Sequence, residues 1–92
     1  MSNAKNGDKV RVQYTGKLES GEIFDSSPSY TFTIGAETVI KGWDEGVALM
    51  REGSKAKLIV PSQIGYGAYG FMSIPGYTTL IFEMELIKIS RD

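Results

Sequence analysis

The 92-residue chain carries 10 Lys and Arg against 11 Asp and Glu, a formal net charge of -1, with 41% apolar and 23% charged side chains and neither cysteine nor histidine. A chain of that size supports one core, and its scattered, balanced charge offers no footprint for nucleic acid or an anionic membrane. Without Cys there is no disulfide, thiolate nucleophile or sulfur-ligated metal; without His, Ser–His and Cys–His catalysis are excluded and a catalytic zinc site is disfavoured.

Met1-Ser2-Asn3-Ala4 reads as a vector-derived leader, leaving a single domain over residues 5–92. Lys9 to Thr15 alternates strictly, with Val10, Val12 and Tyr14 on one face, as in a half-buried antiparallel strand. Gly16-Lys17-Leu18 carries it to a turn at Glu19-Ser20-Gly21-Glu22, and Ile23-Phe24-Asp25 returns. Ser26-Ser27-Pro28-Ser29 has the composition of a loop, after which Tyr30-Thr31-Phe32-Thr33-Ile34 alternates again and Gly35 closes it.

Val39 to Met50 is the one helix expected. Trp43, Val47 and Met50 recur at i, i+4 and i+7, Asp44 and Glu45 fall in the first turn, and Arg51 and Gly53 mark the far end. At about three turns it is too short to be stable alone in water, so something broad and apolar must cover it. Lys55 to Val60 supplies another strand, with Ala56, Leu58 and Val60 inward, and Pro61 ends it. Ser62 to Thr79 is a long irregular stretch rich in Gly and Tyr, and a loop of that length in a small domain usually has a function. Leu80 to Ile89 forms the last strand, with Leu80, Phe82, Met84 and Leu86 on one face. Strands surrounding one helix in non-alternating order argue against βαβ units. The fold expected is α+β, a curved antiparallel sheet of about five strands wrapped over one short helix.

Gly65-Tyr66-Gly67-Ala68-Tyr69-Gly70 matches the G-x-G-x-x-G of dinucleotide-binding proteins, but that motif needs a helix N-terminus next and a parallel sheet around it. Phe71-Met72-Ser73-Ile74-Pro75-Gly76 follows instead, so nucleotide binding is rejected. The aromatic residues are more telling. Tyr14, Phe24, Tyr30, Phe32, Trp43, Tyr66, Tyr69, Phe71, Tyr77 and Phe82 are many large rings for a chain with one helix. Core filling accounts for Phe32. Several others sit at strand ends or in the long loop, where a core ring is less expected. Asp25 beside Phe24 reads either as a turn cap or as a carboxylate on the rim of an apolar pocket.

Val12-Gln13-Tyr14-Thr15-Gly16, Phe24-Asp25-Ser26-Ser27, Val39-Ile40-Lys41-Gly42-Trp43-Asp44-Glu45-Gly46 and Tyr66-Gly67 recur here in the order and spacing of the FKBP-type peptidyl-prolyl cis/trans isomerases. The resemblance covers residues 7 to 89 and implies a sheet wrapped across a short helix. Carried over by position, it implies a pocket floored by Trp43 and walled by Tyr14, Phe24, Tyr30, Val39, Ile40 and Phe82. Tyr66 would be a hydroxyl donor on the loop, with Ile74 and Phe71 closing the mouth. The Ile40 N–H would hold a carbonyl of a bound peptide or macrolide. Asp25 would be a rim carboxylate oriented by the Tyr14 hydroxyl.

This chain departs from the family pattern at Tyr30, where phenylalanine is frequent, at Phe71, where histidine is common, and at Ile74-Pro75-Gly76, where Ile-Pro-Pro is usual. The segment after Ser27 runs straight into Pro28 without the arginine often found there. The activity implied is Xaa-Pro isomerisation without cofactor or metal, on proline-containing peptides and unfolded or partly folded clients, with macrolides of the FK506 and rapamycin type as inhibitors. A monomer is expected, in the cytoplasm or, for a domain cut from a longer secreted chain, in a bacterial periplasm. Two other readings stand beside this one. The same pocket could hold proline-containing segments without catalysis, as a chaperone or scaffold. A hydrolase would need Asp25 paired with Glu22, Glu37 or Glu45 in one cleft.

Overall fold

Alternating apolar residues need a surface to face, and the sheet and the helix supply it for each other. The computed structural model describes residues 3–90. Strands β1 (Lys9–Leu18), β2 (Ile23–Thr33), β3 (Lys55–Val60) and β4 (Leu80–Ser90) form one antiparallel sheet in the order β2-β1-β4-β3. Helix α1 (Lys41–Val47) packs on it, and a single 3-10 turn, Ser62–Ile64, follows β3. The α+β class is as expected.

The two inner strands carry the core. Val10, Val12 and Tyr14 of β1 and Leu80, Phe82, Met84 and Leu86 of β4 are buried on the face that meets Trp43, Val47 and Met50. The outer strands shed burial, as edges do: in β3 only Val60 is fully buried, and in β2 only Phe32.

Among the described residues the strand count is four, and the reason lies in β2. Ile23–Asp25 and Tyr30–Ile34, expected as separate strands around a loop, are one strand through Thr33 that bulges where the loop was expected. Val12 pairs with Tyr30 but Tyr14 pairs with Ser27, so β2 spends an extra residue there. Pro28 lacks an N–H, which an edge strand at a bulge tolerates.

The helix is also shorter than expected, seven residues beginning at Lys41. Ile40 is the extended N-cap, with φ -62° and ψ 151°, so Val39 and Ile40 lie outside it. Beyond Val47 the chain tightens into i→i−3 bonds, Leu49 N–H to Gly46 O at 3.1 Å and Met50 N–H to Val47 O at 3.0 Å. Met50 therefore stays on the buried face although the helix has ended. Gly53, with φ +84°, serves the turn before β3 and not a helix cap. Two glycines inside so short a helix are poor for propensity, and packing explains them. A Cβ on Gly42 would lie 2.7 Å from Val60 Cγ1, and one on Gly46 2.9 Å from Leu58 Cδ1. The glycines let α1 settle directly onto β3.

Of the leader expected over residues 1–4, Met1 and Ser2 lie outside the described residues. Asn3 bridges to Arg51, and Ala4 sits in the core at 3% exposure, its N–H donating to Met50 O at 3.0 Å.

Candidate functional site

A cavity of about 220 Å³ opens where β1, β2, β4, the N-terminal end of α1 and the long loop converge. It is lined by Tyr14, Phe24, Asp25, Tyr30, Thr38, Val39, Ile40, Trp43, Tyr66 and Phe82. Every residue assigned from the sequence to the floor and walls is among them. Thr38 is the addition; it lies in the bend before Val39, where neither periodicity nor motif singled it out.

Trp43 holds the centre. Its ring meets Tyr14 at 4.7 Å, Phe82 at 5.3 Å, Phe32 at 5.6 Å and Tyr30 at 5.9 Å between centroids, mostly edge to face. Such contacts add ~0.5–1.5 kcal/mol each beyond burial, and together they fix the indole. Its buried Nε1–H has no acceptor among the described residues.

Gly16 explains how the walls stand apart. It pairs with Phe82 on β4 and Asp25 on β2. With no side chain at Gly16, the rings of Phe24 and Phe82 meet over it at 5.6 Å, edge to face. A second irregularity of β2 then places two consecutive residues on one cavity. Gly16 pairs with Asp25 but Lys17 with Ile23, leaving Phe24 as the extra residue. Strict alternation would have sent Phe24 and Asp25 to opposite faces.

Tyr14 Oη donates to Asp25 Oδ2 at 2.6 Å, a charge-assisted bond. Burial raises the Tyr14 pKa well above the usual phenol value, and the bond to Asp25 and its charge push it the same way. Tyr66 is raised as well, by burial first and then by the charge of Asp25. Both stay neutral and able to donate. Asp25 is the cavity's only carboxylate, so the paired acids that a hydrolase requires are not found in its lining. The Ile40 N–H and the Tyr66 hydroxyl make no hydrogen bond among the described residues. The Ile40 carbonyl, by contrast, accepts from Trp43 N–H at 3.0 Å and starts the helix.

Phe71 and Ile74 fall in a neighbouring cavity of about 220 Å³ that shares Phe24, Asp25 and Tyr66 with the first. Ile74 is buried, whereas Phe71 is half exposed and stacks on Tyr66 at 5.0 Å and 14°. The segment Phe71–Ile74 is a tight turn closed by reciprocal backbone bonds of 3.0 and 2.8 Å. The G-x-G-x-x-G stretch has a packing role: a Cβ on Gly70 would strike Ile74 O, and one on Gly76 would strike Ala68 O. Among the described residues no helix follows it; the next element is β4.

Three similarities to known proteins bear on this geometry. The family model described as FKBP-type peptidyl-prolyl cis-trans isomerase matches residues 1–87. The chain is 50% identical over 93 residues to the mouse peptidyl-prolyl cis-trans isomerase FKBP2, covering 96% of this chain and 66% of that protein. It is 52% identical over 91 residues to an FK506-binding protein of Neisseria meningitidis serogroup B, covering 94% and 84% respectively. Thus the chain spans just under two thirds of the length of its animal relatives.

Proposed function

This chain belongs to the FKBP-type peptidyl-prolyl cis-trans isomerase family, and from that premise we propose that its Trp43-floored cavity accelerates rotation about Xaa-Pro bonds in peptides and unfolded or partly folded clients. Rotation costs ~18–20 kcal/mol because amide resonance is lost at the twisted geometry. Cis and trans Xaa-Pro are nearly balanced, so the task is kinetic: exchange otherwise takes tens to hundreds of seconds. No bond is made or broken, and the absence of His and Cys is no obstacle. A catalyst need only bind the twisted amide better than the planar ones.

An apolar cavity suits that demand. The planar amide is the more polar form, so stripping its water penalises the ground state more than the twisted state. Trp43, Phe24 and Phe82 give the proline ring an aromatic floor and walls, while the Ile40 N–H and Tyr66 hydroxyl hold flanking carbonyls in place. Asp25 orients and is not a nucleophile, since its nearer oxygen is already engaged by Tyr14. Phe71 and Ile74 border the adjoining cavity and contact the residue next to the proline. The observation that carries this reading is one cavity that gathers five aromatic side chains around Trp43 with one committed carboxylate. The proposal extends to an FK506-type macrolide, the ligand named for the meningococcal relative, part of which would seat in the same cavity.

The test is exchange NMR on a short Leu-Pro peptide, without protein, with protein, and with rapamycin added. Faster cis/trans exchange that rapamycin suppresses supports the proposal. Peptide binding with unchanged exchange would replace it with the chaperone or scaffold reading.

A further inference from the structure

Resting on the isomerase reading, we propose that the Tyr30 hydroxyl is a substrate-binding donor that takes a backbone carbonyl of the bound peptide, a second phenol working beside Tyr66. Three phenols line this cavity, and they differ in what they are free to do. Tyr14 is spent on Asp25 at 2.6 Å. The hydroxyls of Tyr30 and Tyr66 make no hydrogen bond among the described residues.

Tyr30 is held in place without using its oxygen. Its ring lies against Phe32 at 6.2 Å and 29°, and meets the edges of Trp43 at 5.9 Å and Tyr14 at 6.3 Å. It remains 39% exposed, so the ring is fixed while part of it stays accessible. A donor fixed in advance, with no protein partner among the described residues to give up, exchanges only water for the peptide carbonyl on binding.

The ligand's chemistry matches. Proline has no N–H, so an Xaa-Pro segment offers the site carbonyl acceptors in excess of donors. The Ile40 N–H, Tyr66 and Tyr30 make the cavity correspondingly rich in donors. A phenol is neutral at pH 7 and well suited to such an acceptor, whereas a carboxylate is not.

Tyr30→Phe keeps the ring contacts and removes only the donor. The expected result is a rise of about threefold to tenfold in both the peptide Kd and KM, the loss of one neutral hydrogen bond, with kcat and Tm unchanged. In Tyr30→Phe combined with Tyr66→Phe, the losses multiply, since each phenol serves its own carbonyl. Wild-type affinity in Tyr30→Phe, or a fall in kcat with KM unchanged, would overturn the proposal. So would a double variant no weaker than Tyr66→Phe alone. If the wild-type protein bound the Leu-Pro peptide without speeding exchange, the isomerase reading would fall while the Kd comparison still judged Tyr30. No peptide binding at all would remove both.

Discussion

Gly16→Ala tests how the cavity walls are spaced. The backbone at Gly16 is one that alanine can adopt, so any cost comes from space. The new Cβ would lie 2.7 Å from Phe24 Cζ and 2.8 Å from Phe82 Cε1, where ordinary contact begins at 3.4 Å. Phe82 cannot simply retreat, because Trp43 stands against it at 5.3 Å and Tyr14 at 6.2 Å. Overpacking of this kind costs ~1–3 kcal/mol. In a domain of this size, each kcal/mol lowers Tm by about 4–8 °C, so a loss of about 4–24 °C is expected. The displaced rings also narrow the cavity, and Leu-Pro peptide affinity falls with them. Thermal unfolding followed by circular dichroism and an NMR peptide titration read the two effects separately. Gly21→Ala is the control: it lies in open space with φ +94°, so it loses stability through its backbone and leaves peptide affinity intact. If Gly16→Ala matched the wild type in both Tm and affinity, the account of wall placement would be wrong.

The helix glycines should separate in urea denaturation. Gly42→Ala presses on buried, β-branched Val60 and destabilises by ~1–3 kcal/mol, whereas Gly46→Ala meets the flexible end of half-buried Leu58 and recovers up to ~1 kcal/mol of helix propensity. Equal effects would refute the idea that α1 sits on β3 through Gly42. Trp43→Leu should raise the peptide Kd by at least about tenfold, since four ring contacts leave with the indole. Asp25→Val leaves the Tyr14 hydroxyl without its acceptor at a cost of ~1–3 kcal/mol, and it lowers exchange catalysis only in part. Complete loss would show that Asp25 does more than orient. Folding raises the pKa of Tyr14 and Tyr66, so the neutral phenols favour the folded state. That contribution is full below about pH 10, the unfolded phenol value, and is lost as pH rises beyond it. Tyr14→Phe should therefore show a shallower alkaline fall in stability than the wild type, and parallel curves would contradict the assignment.

Much of this molecule is legible in its residues. Alternation alone places Val10, Val12 and Tyr14 with Leu80, Phe82, Met84 and Leu86 on the buried face, because a strand has only two faces and water rejects one set. The spacing of Trp43, Val47 and Met50 likewise gives one buried stripe, which survives even though the helix ends at Val47. The absence of His and Cys excluded Ser–His and Cys–His catalysis from the outset. The order and spacing of the motifs identified the family, and with it the residues that gather around Trp43.

Tertiary structure alone decided the rest, wherever the outcome depends on a partner strand. The polar run Ser26–Ser29 belongs to β2 because β1 offers it a ladder, and the bulge there absorbs Pro28. Phe24 and Asp25 share one cavity because register against Gly16 and Lys17 slips by a residue, which no local pattern encodes. The glycines of α1 look like weak helix formers until β3 lies beneath them. Tyr30 and Tyr14 are both tyrosines of alternating strands, yet one hydroxyl is bound to Asp25 and the other has no partner among the described residues. That difference comes from which side chains the folded sheet brings within reach, and a linear sequence carries no record of it.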